Sequence, residues 1–263
     1  MIGKVYLVGA GPGDPELLTL KAARILGNAE VVLHDSLVSQ EILGLASARA
    51  EVIHIGKRCG RKLLTQEEIN SLLVHYAHAR ATVVRLKGGD PMLFGHAGEE
   101  IDTLRSAGVP FEVVPGVTSG LASAAAAEIS LTDRRIASQV LFTTAHREHG
   151  NVALDWAGVV GSDTTVVIYM PGRKYAELGA SLLEVGLDPR TPCLVASCTS
   201  LPTQELKRTT IGNLRDEDGL AAPSLLIVGW VADSAIPAGA HALHNQIANL
   251  LAADENAPEG DQR

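Results

Sequence analysis

The chain has 263 residues, 46% hydrophobic and 20% charged, enough apolar material for one large or two small cores and unlike a disordered, collagen-like or repeat protein. Aromatics make up only 3%, so Val, Leu, Ile and Ala must build the core, and a base-stacking nucleic-acid platform is disfavoured. The 22 Lys and Arg against 30 Asp and Glu give a net charge of −8, which argues against nucleic acid or an anionic membrane as partner. Cys59, Cys193 and Cys198 are too few and too scattered for a disulfide framework. The start shows no signal-peptide pattern, and the uncharged stretch 113–127 is too short to span a bilayer and contains Pro115. A soluble, cytoplasmic protein is expected.

Short β-branched runs alternate with stretches of helical period. Residues 4–8 read as a strand, 17–26 as a helix, 30–33 and 51–55 as strands. The clearest helix is 66–79, where Ile69, Leu72, Leu73, Tyr76 and Ala77 recur on one face and Thr65 with Glu68 forms a capping box. A strand at 82–86, a helix at 98–107 and a strand at 111–114 complete a βαβ rhythm, the pattern of a mainly parallel sheet covered by helices. Beyond Pro115-Gly116 come a small-residue helix at 119–127, strands at 139–143 and 164–169, a helix at 175–185, and strands at 193–197, 205–211 and 224–228. With more strands per helix, this second half suggests a mixed sheet. The expected organisation is two α/β domains, 1–116 and 117–240, with a disordered tail at 252–263.

Three Gly/Pro loops leave predicted strand ends, the edge where open α/β sheets bind ligands. The first, Val8-Gly9-Ala10-Gly11-Pro12-Gly13-Asp14-Pro15, lets the backbone approach a ligand closely, yet it lacks the spacing of a dinucleotide fingerprint or a P-loop. A tight turn explains it equally well. The second, Leu86-Lys87-Gly88-Gly89-Asp90-Pro91-Met92-Leu93-Phe94-Gly95, sets exposed backbone polar groups beside one carboxylate, suited to a ligand bearing hydroxyls or an amine. The third, Pro115-Gly116-Val117-Thr118-Ser119-Gly120, enters a helix and reads alternatively as an N-cap. Asp35 and Lys57 each follow an apolar strand, so both would lie at strand ends facing the same crevice; a loop cap and a solvated end are the plainer readings. The nine His residues show no HExxH, and no metal site is indicated.

Taken in order, GAGPGDPELLTLKA from Gly9, HDSLVS at 34–39, GKR at 56–58, RLKGGDPMLFG at 85–95 and PGVTS at 115–119 resemble the tetrapyrrole methyltransferases, over residues 2 to roughly 230. The resemblance implies two α/β domains with the active site in the cleft between them, assembled as a homodimer. It also implies S-adenosyl-L-methionine-dependent C-methylation of uroporphyrinogen III at C2 and C7, giving precorrin-2 for sirohaem or cobalamin synthesis and S-adenosyl-L-homocysteine as by-product. A later precorrin substrate, or a non-catalytic cofactor-binding role, are the alternatives. By matched position, Pro12, Gly88, Gly89, Asp90, Leu93, Thr118, Ser119, Met170 and Thr199 would hold the cofactor, and Asp35 and Lys57 would be the acid/base residues. The substrate's eight carboxylates call for concentrated cations, for which Lys57 with Arg58, Arg61 and Lys62, and Arg134 with Arg135 and Arg147, are the candidates. The chain departs from the family pattern at 127–134, where Glu128, Ser130 and Asp133 stand for Gly, Pro and His. It departs again at 197–200, which reads S-C-T-S for the commoner N-G-T-A, and at His34, which stands for the frequent Tyr.

Overall fold

The structure, a computed structural model, describes residues 2–58, 61–62, 64–145, 161, 163–173, 175–216 and 220–233. The chain divides into two compact units: Met1–Ala126 with Ser197–Glu205 and Ala221–Pro223, and Ala127–Ala196 with Leu206–Leu220 and Ser224–Arg263.

In the first unit, strands β1 (Lys4–Gly9), β2 (Val31–His34) and β3 (Glu51–His54) alternate with helices α1 (Leu20–Leu26) and α2 (Gln40–Leu43). A short ribbon follows, β4 (Lys57–Arg58) and β5 (Arg61–Lys62), then α3 (Gln66–Ala79), β6 (Thr82–Lys87), α4 (Ala97–Ser106), β7 (Phe111–Val114) and α5 (Ser119–Ala126). The five long strands form one sheet in the order β3-β2-β6-β1-β7, with every neighbouring pair parallel. Because strand side chains alternate, one face of the sheet carries Val8, Val32, Val84 and Leu86 against Ala22, Ile25, Leu26 and Ile42 of α1 and α2. The other carries Val5, Leu7, Val31, Leu33 and Val83 against Ile69, Leu73 and Ala77 of α3 and Leu104 of α4. Adjacent strands β1 and β6 thus send the chain to opposite faces, which opens a crevice between them at their carboxyl ends.

Local chemistry sets the element ends. In α3 the Thr65 hydroxyl accepts from the Glu68 N–H at 3.2 Å and the Glu68 carboxylate accepts from the Thr65 N–H at 2.6 Å, as the capping box requires. The helix expected at 17–26 begins later. Thr19 caps it by accepting from Ala22 at 3.1 Å, whereas Pro15–Leu17 is a separate 3-10 turn capped by Asp14 and followed by extended Leu18. Helix α2, capped by Ser39, has four residues, too few to show a period. Helix α5 belongs to the first unit, whereas a break at 116/117 would give it to the second. Its buried Ser123 hydroxyl lies 2.7 Å from that of Thr199, in the returning segment Ser197–Glu205.

The second unit holds β8 (Gln139–Thr144), β9 (Thr164–Tyr169), α6 (Tyr175–Glu184), β10 (Pro192–Ser197), β11 (Glu205–Thr210) and β12 (Ser224–Val228). They form a mixed sheet, β11-β10-β12-β9-β8, in which β8 runs parallel and β12 antiparallel to β9. Tyr175, Leu178 and Leu182 of α6 pack on Val166, Ile168, Val195, Leu226 and Val228 of this sheet. Among the described residues no helix is long and apolar enough to cross a membrane. The expected tail, 252–263, lies outside them.

Candidate functional site

The three loops converge at the carboxyl edge of the first sheet and are tied to one another. Gly11 and Gly89 exchange backbone hydrogen bonds at 3.1 and 2.7 Å, joining the β1 loop to the β6 loop. The Asp90 carboxylate accepts from Met92 N–H at 2.8 Å and from Gly116 N–H at 3.0 Å, joining the β6 loop to the β7 loop. The β1 and β7 loops touch directly: a Cβ on Gly116 would lie 2.4 Å from the Gly89 carbonyl oxygen and 2.9 Å from the Gly9 Cα, so no side chain fits between these backbones. Gly89 itself has φ 69°, a left-handed conformation, and a Cβ there would meet only the Thr118 Cα, at 3.9 Å. The result is a side-chain-free floor.

Pro12, Gly88, Gly89, Asp90, Leu93, Thr118 and Ser119 all stand on or beside this floor, each partly exposed. Two of the expected cofactor residues carry a structural duty there. Both Asp90 oxygens already accept backbone N–H groups, and the Thr199 hydroxyl is buried against Ser123. Met170 belongs to the second unit, where it ends β9 half-exposed with φ 53°. A strained, exposed strand end is unlike a core methionine.

Asp35 directly follows β2 and is held through its N–H, its carbonyl and its carboxylate. Its N–H donates to the Leu86 carbonyl at 3.2 Å, and its carbonyl accepts from His34 Nδ1 at 3.0 Å. Its carboxylate accepts from Arg85 Nη2 at 2.6 Å. Burial lowers the His34 pKa. Lys57 opens β4 directly after Gly56, whose Cβ would come within 2.5 Å of the Ser36 N, so its backbone runs beside that of Asp35 and Ser36. Ribbon β4–β5 pairs Lys57 with Lys62 and Arg58 with Arg61, concentrating four basic residues in one two-stranded register.

The 127–134 segment lies in the second unit. There Asp133 takes Arg135 as partner, accepting from its Nε at 2.9 Å and its Nη2 at 2.6 Å, which raises the Arg135 pKa. Arg134 is exposed. Neither arginine lines the nearby cavity of about 240 Å³, which Glu128, Asp133, Arg208 and Asp233 border. Arg147 lies outside the described residues. No group of three or more metal-ligating side chains occurs among the described residues.

Sequence reasoning passed over Arg85, Lys87 and Glu100. Their signal was present: two basic residues two apart on a buried strand, and a carboxylate on the stripe Ala97, Glu100, Leu104 of α4. Glu100 is fully buried and accepts from Arg85 Nε and from Lys87 Nζ, each at 2.9 Å. Burial lowers the Lys87 pKa. Burial also opposes the Arg85 charge, but Asp35 and Glu100 outweigh it and leave the Arg85 pKa raised.

A parallel sheet with helices on both faces, and glycine loops knotted at its switch point, defines an α/β protein built to bind a small ligand against bare backbone. The family model for Tetrapyrrole (Corrin/Porphyrin) Methylases matches residues 4–215, and the chain belongs to this family. It is 41% identical over 256 residues to a Synechocystis sp. protein named uroporphyrinogen-III C-methyltransferase, covering 95% of both chains. It is 44% identical over 239 residues to siroheme synthase of Chromobacterium violaceum, covering 89% of this chain and 50% of that one. The chain thus spans about half the length of the siroheme synthases it matches. A crystal structure of uroporphyrin-III C-methyl transferase from Thermus thermophilus complexed with S-adenosyl homocysteine superposes with a TM-score of 0.76 at 41% identity, covering 87% of this chain and 93% of that one.

Proposed function

We propose that this chain transfers methyl groups from S-adenosyl-L-methionine to C2 and C7 of uroporphyrinogen III, giving precorrin-2. The observation that carries the reading is the side-chain-free floor of Gly9, Gly89 and Gly116, in a chain 41% identical over nearly its whole length to a protein named for this reaction. The cofactor supplies an electrophilic methyl on sulfur. Backbone of the three loops, with Pro12, Gly88, Gly89, Leu93, Thr118, Ser119 and Met170, holds it. Asp90 acts by tying the loops, and Thr199 acts through its backbone, since its hydroxyl is engaged with Ser123.

Methyl transfer to an electron-rich pyrrole carbon needs alignment, exclusion of water and an acceptor for the proton then lost. Asp35 assists that proton loss, and Lys57 orients a substrate carboxylate or tunes Asp35. Arg58, Arg61 and Lys62 of the ribbon, together with Arg134 and Arg147, meet the substrate's carboxylates, while the Arg135 charge is answered by Asp133. The protein acts in the cytoplasm as a homodimer, a state that light scattering of the full chain tests.

The decisive assay is anaerobic turnover with uroporphyrinogen III and S-adenosyl-L-methionine, followed by the mass of the oxidised product. A gain of two methyl groups supports the reading; cofactor binding with no methyl transfer overturns it. Asp35→Asn should lower kcat by about a hundredfold or more while leaving S-adenosyl-L-homocysteine affinity unchanged.

A further inference from the structure

The two basic residues of β6 share a face of the sheet with Val83, which lies in an apolar core. On that face, towards the carboxyl end, Arg85 and Lys87 replace the apolar pattern and are almost wholly buried. Charges so placed give up hydration, and well-packed apolar residues would commonly serve stability as well. The four groups Asp35, Arg85, Glu100 and Lys87 sum to zero charge and form one chain of hydrogen bonds. Only its outer end, Asp35, is substantially exposed, at 30% of its side chain.

The geometry singles out Arg85. Its guanidinium donates from Nη2 to Asp35, from Nε to Glu100 and from Nη1 to the Leu86 carbonyl at 3.2 Å. Three bonds from one rigid plane fix where the Asp35 carboxylate stands, as a lysine could not. Glu100 prevents the guanidinium from turning away. The second oxygen of Glu100 accepts from Lys87, whose Nζ also donates to the Gly95 carbonyl at the end of the β6 loop. One buried carboxylate therefore anchors both the Asp35 partner and the loop that carries Gly88, Gly89 and Leu93.

We propose that Arg85, locked by Glu100, is the positioning residue for the Asp35 carboxylate during methyl transfer. The proposal rests on the reading of Asp35 as the group that assists proton loss. It assigns Arg85 no contact with substrate or cofactor; the residue works only through Asp35.

A double-mutant cycle tests it, with steady-state kcat and KM measured anaerobically for the full chain, Arg85→Lys, Asp35→Asn and the double variant. Thermal melts and S-adenosyl-L-homocysteine titrations accompany each. Arg85→Lys should lower kcat between about ten- and hundredfold with KM and cofactor affinity nearly unchanged. In the Asp35→Asn background the same change should cost less than about twofold, because a residue acting through Asp35 has nothing left to position. Equal proportional losses in the two backgrounds, or a loss confined to KM, overturn the proposal and leave the Asp35 reading standing. Wild-type kcat in Asp35→Asn overturns that reading and the proposal with it. Should Arg85→Lys not fold, Glu100→Gln takes its place in the cycle, with the same expected result and the same refutation.

Discussion

Replacing Gly116 by Ala adds one methyl group where three backbones meet. The new Cβ would lie 2.4 Å from the Gly89 carbonyl oxygen, 2.9 Å from Gly9 Cα and 3.0 Å from Gly9 C, about 1 Å inside ordinary van der Waals contact at the closest point. Every one of those atoms is main chain, so no flexible side chain can yield and the β7 loop itself must move. Overpacking of this kind costs about 1–3 kcal/mol. For a chain of this size that is roughly 2–12 °C in melting temperature. The same displacement separates Gly116 N from the Asp90 carboxylate and shifts the floor, so affinity for S-adenosyl-L-homocysteine should fall about tenfold or more. Gly98→Ala is the control: it lies in α4 with nothing within 4 Å of a Cβ, and should stabilise by about 0.5–1 kcal/mol without touching affinity. Differential scanning calorimetry and isothermal titration calorimetry read both quantities. If Gly116→Ala melted and bound like wild type, the touching of the β1, β6 and β7 loops would not be what shapes the floor.

Burial lowers the His34 pKa below the ordinary 6.5, so the unfolded chain takes up a proton that the fold resists. The stability His34 contributes is complete above about pH 6.5 and is lost as pH falls through the lowered value; melts from pH 8 to 5 should therefore slope less in His34→Tyr than in wild type, and identical slopes would refute the assignment. Glu128 and Cys198 hold φ of 57° and 48° without being glycine, a cost of about 1–2 kcal/mol each, partly offset in a glycine variant by the freer unfolded chain. Glu128→Gly and Cys198→Gly should each raise the melting temperature by about 1–4 °C, and a fall in both would show that contacts outweigh the backbone.

Periodicity made most elements legible. The face Ile69, Leu73, Ala77 fixed α3 to the residue, and β-branched runs located β7, β9 and β12. Where one polar side chain decides the outcome, period alone misled: Thr19 stops α1 three residues short of the expected start because its hydroxyl is a better cap than Leu17. The loops were legible as glycine runs, but their mutual ties were not, since Gly11 with Gly89 and Asp90 with Gly116 are contacts across the sheet edge. Nor did spacing foretell that the Asp90 oxygens face backbone N–H groups. Lys57, Arg58, Arg61 and Lys62 read as a charged cluster, while spacing alone does not foretell their antiparallel register.

Two of the departures from the family pattern, at 128 and 198, follow one rule. At 128 and 198 the family commonly carries glycine, and this chain holds a left-handed backbone there with Glu128 and Cys198. A conformation maintained against its own steric preference is imposed by the surrounding fold. At 133 the exchange acts through charge instead: Asp133 engages Arg135, removing one free cation from the set that would meet a polyanion. The tetrad of Asp35, Arg85, Glu100 and Lys87 sums to zero charge. A net charge of −8 therefore demands little of the proposed chemistry, which depends on where a few cations are held: Arg85 and Lys87 beneath the crevice, and the basic ribbon after Gly56.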